Sequence, residues 1–177
     1  MRKLFFTLIT IFTINSFATA QAESYKAFKV DALIGYALPG SGIGGGITLS
    51  IEPKYNLTDN IALGLQFGGS FFASGGSTLS LNLSEHYLLT GEYYFGDRKV
   101  RPFAGIGAGL YNVGSLESTT NSSGQATPTG DIGSKFGFAP RVGLQINHFR
   151  LALEYNVVKN SNFLGIKIGT TFGGGDL

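Results

Sequence analysis

The chain has 177 residues, a formal net charge of +2 and no cysteine, which excludes a disulfide framework and a thiolate metal site. Charged residues make up 14% of it, against about 25% in soluble globular domains, so part of the surface is expected to lie outside water. The net charge is too small and too dispersed to favour nucleic acid as a partner.

The N-terminus has the order of zones found in a secretory signal peptide. Arg2 and Lys3 precede an apolar stretch over residues 4–17, and small residues follow at positions 18, 20 and 22. We therefore predict a cleaved signal peptide over residues 1–22 and one domain over residues 23–177, with cleavage before Gln21 or Glu23. No later stretch reaches the ~18 apolar residues of a membrane helix, so a mature chain in a membrane must close into a β-barrel.

After the signal peptide, apolar residues alternate with polar or small residues about eight times, at the period of a β-strand. In residues 100–113, VRPFAGIGAGLYNV, one row is apolar and the other is mostly glycine. A row of glycines neither fills a soluble core nor coats a solvated surface. The predicted strands cover residues 27–38, 46–56, 60–73, 79–95, 100–113, 135–147, 149–159 and 162–172.

Short and long connections alternate between these strands. The short ones lie at 57–59, 96–99 and 147–148, and the others at 39–45, 73–77, 114–134 and 160–161. This arrangement predicts an all-β fold, an eight-stranded antiparallel up-and-down transmembrane β-barrel. It also predicts the cell outer membrane as the location, with the short turns and both mature termini in the periplasm. Residues 114–134 are rich in Ser, Thr and Gly, and we predict a mobile loop there, with a surface recognition loop as the alternative.

The alternation assigns each residue to one face of the barrel. We predict that the apolar row faces lipid; it includes Val30, Ala32, Ile34, Tyr36, Leu49, Ile51, Tyr55, Ile61, Leu63, Leu65, Phe67, Tyr87, Leu89, Tyr93, Val142, Leu144, Ile146, Leu151, Leu153, Tyr155, Val157, Leu164, Ile166, Ile168 and Phe172. The opposite row is polar and is predicted to line the lumen; it includes Asp31, Ser50, Glu52, Lys54, Gln66, Glu92, Arg141, Gln145, Arg150, Glu154 and Lys167. A soluble barrel of lipocalin type, with the faces exchanged, is the alternative. The scarcity of charge in the polar row disfavours it, as does the lack of tryptophan.

Three of the luminal charges are predicted to lie side by side. A two-residue turn at 147–148 sets Arg141 opposite Glu154, and a turn centred on residues 160 and 161 sets Glu154 opposite Lys167. One carboxylate would then bridge two cations. We predict that this cluster neutralises buried charge or, alternatively, closes and switches the lumen by exchanging partners with Glu52 or Glu92.

Residues 55–64, YNLTDNIALG, and residues 91–109, which include GEYYF and RPFAGIGAG, resemble the small porin-family outer-membrane β-barrels related to outer-membrane proteins A and W. The resemblance covers essentially the whole mature chain. It implies an eight-stranded Gram-negative outer-membrane barrel and no particular substrate. One departure is that such proteins commonly end on an aromatic residue, whereas Phe172 is followed by residues 173–177, GGGDL.

No catalytic, cofactor-binding or metal-ligating set emerges from the sequence. His86 has Ser84 and Glu85 beside it, but neighbouring residues on a strand point to opposite sides. We therefore predict a non-enzymatic barrel with a structural or surface-interaction role. A narrow channel is the alternative, and a lipid-modifying enzyme is a third hypothesis. The expected partners are outer-membrane lipid and, during biogenesis, the barrel-assembly machinery; the surface ligand stays unknown.

Overall fold

The computed structural model describes residues 26–40, 44–74, 80–96, 99–120 and 126–174. They form a closed, antiparallel, eight-stranded barrel in which each strand pairs with its neighbours in sequence and β1 closes on β8. The strands are β1 (Phe28–Pro39), β2 (Gly46–Asn56), β3 (Ile61–Ser74), β4 (Ser80–Tyr94), β5 (Val100–Thr120), β6 (Ala126–Ile146), β7 (Phe149–Val158) and β8 (Phe163–Gly173). No helix in these residues is long and apolar enough to cross a membrane.

The fold class and the strand count are confirmed. Six strands, β1 to β4, β7 and β8, begin and end within one residue of their predicted limits. The connections 57–60 and 147–148 join strands at one end of the barrel, called the turn end below. The opposite end, where residues 159–162 connect β7 to β8, is called the loop end.

The prediction of a loop over residues 114–134 was wrong in its limits. The β5–β6 ladder continues as far as the pair Thr120 and Ala126, so both strands have 21 residues. Pairing uses backbone groups that every non-proline residue carries, and threonine is common in strands. The polar composition of this segment therefore argues against burial and does not argue against a strand.

The turn predicted at residues 160 and 161 was also wrong. The β7–β8 ladder pairs Asn156 with Phe163, which shifts the register by two residues from the predicted pairing of Lys159 with Asn162. The longer connection is stabilised locally, because the Ser161 N–H donates to the Val158 carbonyl and the Val158 N–H donates to Asn162 Oδ1. A shift of two keeps every side chain on its predicted face.

The assignment of faces is confirmed. The predicted outward side chains are exposed, apart from the half-buried Val30, Ala32 and Leu164. All eleven residues predicted to line the lumen are buried. β7 shows this most simply, since exposed and buried residues alternate along its whole length. The soluble alternative needs an apolar interior, and this interior holds charges.

Candidate functional site

The inward-facing apolar residues form two layers along the barrel axis. An apolar layer at the turn end contains Ala62, Tyr94, Phe103 and Ala152. A second apolar layer at the loop end contains Ala37, Phe72, Leu88, Tyr111, Ala139, Val158 and Phe163. On β7, Glu154 lies between Ala152 of the first layer and Val158 of the second, whereas Arg150 lies on the turn side of Ala152. Charged residues therefore lie both between the two apolar layers and beside the turn-end layer.

The structure brings together Arg141, Glu154 and Lys167 and, with them, the two carboxylates named as alternative partners, Glu52 and Glu92. Arg141 Nη1 lies 2.8 Å from Glu52 Oε2 and 3.4 Å from Glu92 Oε1, while Arg141 Nη2 lies 3.1 Å from Glu154 Oε2. Lys167 Nζ lies 2.6 Å from Glu154 Oε1. Glu154 therefore bridges two cations.

The route by which Lys167 reaches Glu154 differs from the prediction. Arg141 is directly opposite Glu154, as predicted, but the residue opposite Glu154 on β8 is Gly165. Lys167 lies opposite Ala152 and approaches on the diagonal. The absence of a side chain at Gly165 makes room for it, because a Cβ atom there would lie 3.3 Å from Lys167 Cε.

The cluster is part of a larger ion-pair network that the sequence did not reveal. Lys54 Nζ lies 2.7 Å from Asp31 Oδ2 and 2.6 Å from Glu92 Oε2. Arg150 lies 2.5 Å from Glu92 Oε1 and 3.2 Å from Asp31 Oδ2. Because Glu92 on β4 and Arg150 on β7 are not on adjacent strands, this contact crosses the lumen. Ladder registers predict only neighbours, so the sequence offered no signal for it beyond the shared inward face.

The ion-pair network is balanced in charge. Among the described residues, its ion pairs join four carboxylates, Asp31, Glu52, Glu92 and Glu154, to four cations, Lys54, Arg141, Arg150 and Lys167. Each of these side chains is nearly inaccessible to water. Multiple pairing offsets the cost of removing charges from water, which a single contact rarely does.

Uncharged side chains satisfy further polar atoms of the network. The Tyr94 hydroxyl donates to Glu92 Oε2 at 2.7 Å and accepts from Arg150 Nη1 at 2.8 Å. Thr90 donates to Glu52 at 2.5 Å. The amide of Gln66 accepts from Arg141 at 2.9 Å and donates to Glu154 at 3.1 Å. Such secondary hydrogen bonds hold the charged groups in one arrangement.

Two further cations lie against the aromatic ring at the turn end. Lys29 Nζ is 4.0 Å and the Arg101 guanidinium 4.7 Å from the centroid of the Tyr94 ring, within the range of a cation–π interaction. Arg101 also donates to the backbone carbonyls of Asp59 and Gly96. These contacts tie the turn-end layer to the connections below it.

His86 lies in the lumen on the loop side of the network. Its ring is fully buried and stacks on Tyr111, with centroids 5.4 Å apart. Neither ring nitrogen hydrogen-bonds to a described residue. Ser84 shares the inward face, but Glu85 is exposed on the outer face, so these three residues do not form a nucleophile, base and orienting acid. No group of side chains in the described part of the chain has metal-binding geometry.

The inward glycines make room for large neighbours. A Cβ atom at Gly107 would lie 3.1 Å from both Leu88 and Arg141, and one at Gly137 would lie 2.8 Å from the Tyr111 ring. A Cβ atom at Gly68 would collide with the His86 ring. The glycine row is therefore complementary in shape to the bulky inward side chains.

No family model and no curated protein matches the sequence. Solved structures do match. Neisserial surface protein A is 17% identical, with a TM-score of 0.59 over 85% of this chain and 99% of that one. Ail, the attachment invasion locus protein of Yersinia pestis, is 17% identical, with a TM-score of 0.48 over 83% and 100% of the two chains. The N-terminal barrel of Pseudomonas aeruginosa OprF is 15% identical, with a TM-score of 0.45 over 85% and 100%.

The likeness to neisserial surface protein A concerns the fold. At this level of identity it carries no residue roles. Together with the closed ladder of eight strands and the burial of charged residues inside an apolar exterior, it shows that the chain has the fold of the small eight-stranded outer-membrane β-barrels.

Proposed function

We propose that the protein is an integral outer-membrane barrel with a closed lumen and a structural or surface-interaction role. The observation that carries the proposal is the inverted burial: charges are enclosed, whereas leucine, isoleucine, valine and phenylalanine cover the outside. An exposed apolar surface of this extent is stable only in lipid or against other apolar surfaces. In this proposal residues 1–22 are a removed signal peptide, and the turn end faces the periplasm.

Exposed aromatic residues support this placement. They lie near strand ends, where the polar and apolar zones of a bilayer meet, at Tyr36, Tyr55, Tyr93, Phe95 and Phe149. Aromatic side chains are enriched at those depths in membrane barrels.

The filled lumen supports the closed barrel. Eight strands enclose a space that side chains can fill. Here two apolar layers and a balanced ion-pair network occupy that space, and the inward glycines leave room for neighbouring side chains. The narrow-channel alternative needs an open path, and no observation on the described residues favours one. The enzyme alternative loses its support because Glu85 and His86 lie on opposite faces.

The last part of the β5–β6 ladder, residues 114–120 paired with residues 126–132, supports a role in surface interaction and is called the β5–β6 extension. Over residues 126–136, β6 pairs with β5 only, since the described β6–β7 ladder begins at Gly137 and Val158. This leaves a free strand edge at the loop end, and free edges are templates for pairing with an extended segment of another protein.

Single cysteines test the placement, because the chain contains none. Ser123→Cys, between β5 and β6 in the sequence, and Asp97→Cys, between β4 and β5, are treated with a membrane-impermeant maleimide on intact cells. We expect labelling of Ser123→Cys alone in intact cells and of both variants after lysis. Labelling of Asp97→Cys alone in intact cells would invert the orientation, and equal labelling of both would refute the membrane placement.

A further inference from the structure

Lys29 is an enclosed cation at the turn end that stands outside the ion-pair network. Its side chain is only 1% exposed, and none of the ion pairs between described residues includes it. The next inward residue of β1, Asp31, already pairs with Lys54 and Arg150. The Tyr94 ring, 4.0 Å from Lys29 Nζ, offsets only part of the cost of enclosing a charge. A carboxylate beside Lys29 would therefore stabilise the turn end.

The chain leaves β8 directly beside this lysine. Gly173, the last residue of β8, lies opposite Lys29 and has a φ of +76°. Gly174 follows with a φ of +63° and is buried. A Cβ atom at Gly174 would lie 2.9 Å from both Cβ and Cδ of Lys29, so the backbone there packs on the methylene stem of the lysine. Two successive left-handed residues do not continue a strand, so the chain turns at this point over the Lys29 side chain.

An acidic residue follows the turn. The structure describes the chain as far as Gly174, and Gly175, Asp176 and Leu177 come next in the sequence. Two residues span at most about 7 Å, so Asp176 stays close to the place where Gly174 contacts Lys29. Because Asp176 is tethered, its effective concentration at the lysine is in the millimolar range or above, which favours it over a dissolved anion.

We propose that residues 175–177 fold across the turn end of the lumen as a cap, with the Asp176 carboxylate paired with the Lys29 ammonium. The pair gives Lys29 the anionic partner that the described residues do not provide. In the same arrangement Leu177 adds an apolar side chain next to the turn-end layer, which contains Tyr94 and Phe103. The two left-handed glycines are the hinge that directs the segment to this position.

A single tryptophan can report on the cap, because the chain contains none. The Leu177→Trp protein is folded into lipid vesicles, and quenching of its fluorescence by acrylamide is measured. We expect part of the emission to be protected. Adding Asp176→Asn should lower the ratio of docked to free segment roughly fivefold, the size of one ion pair. Adding Glu85→Gln, which removes an exposed carboxylate from the outer face of β4, is the control and should leave quenching unchanged.

Lys29→Met provides the second arm, since it keeps an unbranched apolar stem and removes the charge. In the Leu177→Trp protein it should increase quenching as much as Asp176→Asn does. The two changes together should increase it no further, because both remove the same pair.

Gly174→Ala tests the turn. The new methyl group would be strained at this φ and would meet the Lys29 side chain, so the segment should be displaced and quenching should increase. Gly96→Ala is the matched control at the same end of the barrel. It has a φ of +80° and nothing within 4 Å of a Cβ atom, so it carries the backbone strain without the contact. It should leave quenching unchanged.

Equal quenching of the Leu177→Trp protein with and without Asp176→Asn would overturn the cap and assign Lys29 to a dissolved anion. Additive effects of Lys29→Met and Asp176→Asn would also overturn it. Heat-modifiable gel migration is recorded for every sample. A folded barrel whose tryptophan is fully accessible refutes the cap alone, whereas failure of the wild-type protein to insert into vesicles refutes the proposed function.

Discussion

The ion-pair network and the His86 region are adjacent in the lumen and solve the problem of buried polarity differently. In the network, Glu92 contacts Lys54, Arg141 and Arg150, and Tyr94 also donates to it. Around His86 the described contacts are packing contacts with the Tyr111 ring and with Gly68. Buried charges require several ion-pair or hydrogen-bond partners, whereas a buried imidazole ring can be accommodated by packing when a neighbouring glycine leaves space for it.

The largest expected effect breaks the network at Glu154. Glu154→Ala leaves Arg141 with one partner fewer and Lys167 without its only described ion pair. Leaving a buried cation unpaired costs about 3–5 kcal/mol. Unfolding by urea in lipid vesicles should show that loss in the free energy of unfolding.

Arg150→Ala is the comparison for this prediction. It should cost less, because Asp31 keeps Lys54 and Glu92 keeps both Lys54 and Arg141. A greater loss of stability for Arg150→Ala than for Glu154→Ala would contradict the idea that depriving Lys167 of its one described ion-pair partner is the larger cost.

The next prediction compares the two faces of one strand. Leu153→Arg places a charge without an ion-pair partner on the outer face of β7, whereas the inward charges of that strand, Arg150 and Glu154, are paired. It should cost about 2–4 kcal/mol if Leu153 lies near the bilayer midplane. Val157→Arg, on the same face but near the strand end, should cost at most about 1 kcal/mol in the same unfolding measurement. Equal costs at both positions would contradict the depth assigned to β7.

The contact between Gly68 and the His86 ring can be tested with a double mutant. Gly68→Ala brings a methyl group against the His86 ring and within 3.0 Å of the Leu49 carbonyl oxygen, so it should destabilise by about 1–3 kcal/mol. Combining it with His86→Ala should cost less than the sum of the single changes. Gly69→Ala, which has open space, is the control and should be nearly neutral. If the free-energy costs of Gly68→Ala and His86→Ala were additive, the His86 ring would not be the reason for the glycine at position 68.

The smallest effect is expected at the β5–β6 extension. Replacing residues 117–129 with an Asn-Gly turn removes strand pairs beyond the lumen layers, and no residue of the ion-pair network lies in it. The free energy of unfolding should change by less than about 1 kcal/mol, because the removed pairs lie beyond the residues of both apolar layers. A cooperative loss of the whole barrel would show that the extension contributes to its core.

Sequence periodicity predicted the barrel, the faces and the Arg141–Glu154 pair because a strand alternates strictly and a two-residue turn fixes its register. It could not predict the position of Lys167, because the Asn162 side chain completes a longer connection that composition does not specify. It also missed the contact between Arg150 and Glu92, since side chains from non-adjacent strands meet only after the barrel closes. The strand segments over residues 114–120 and 126–134 were missed because their polar composition gives no sign of backbone pairing.

Conductance across a planar bilayer tests the central claim most directly. Folded protein, verified by its heat-modifiable migration, should show no stable openings, since two apolar layers and a balanced ion-pair network fill the lumen. Stable, reproducible openings from the wild-type protein would contradict a closed lumen.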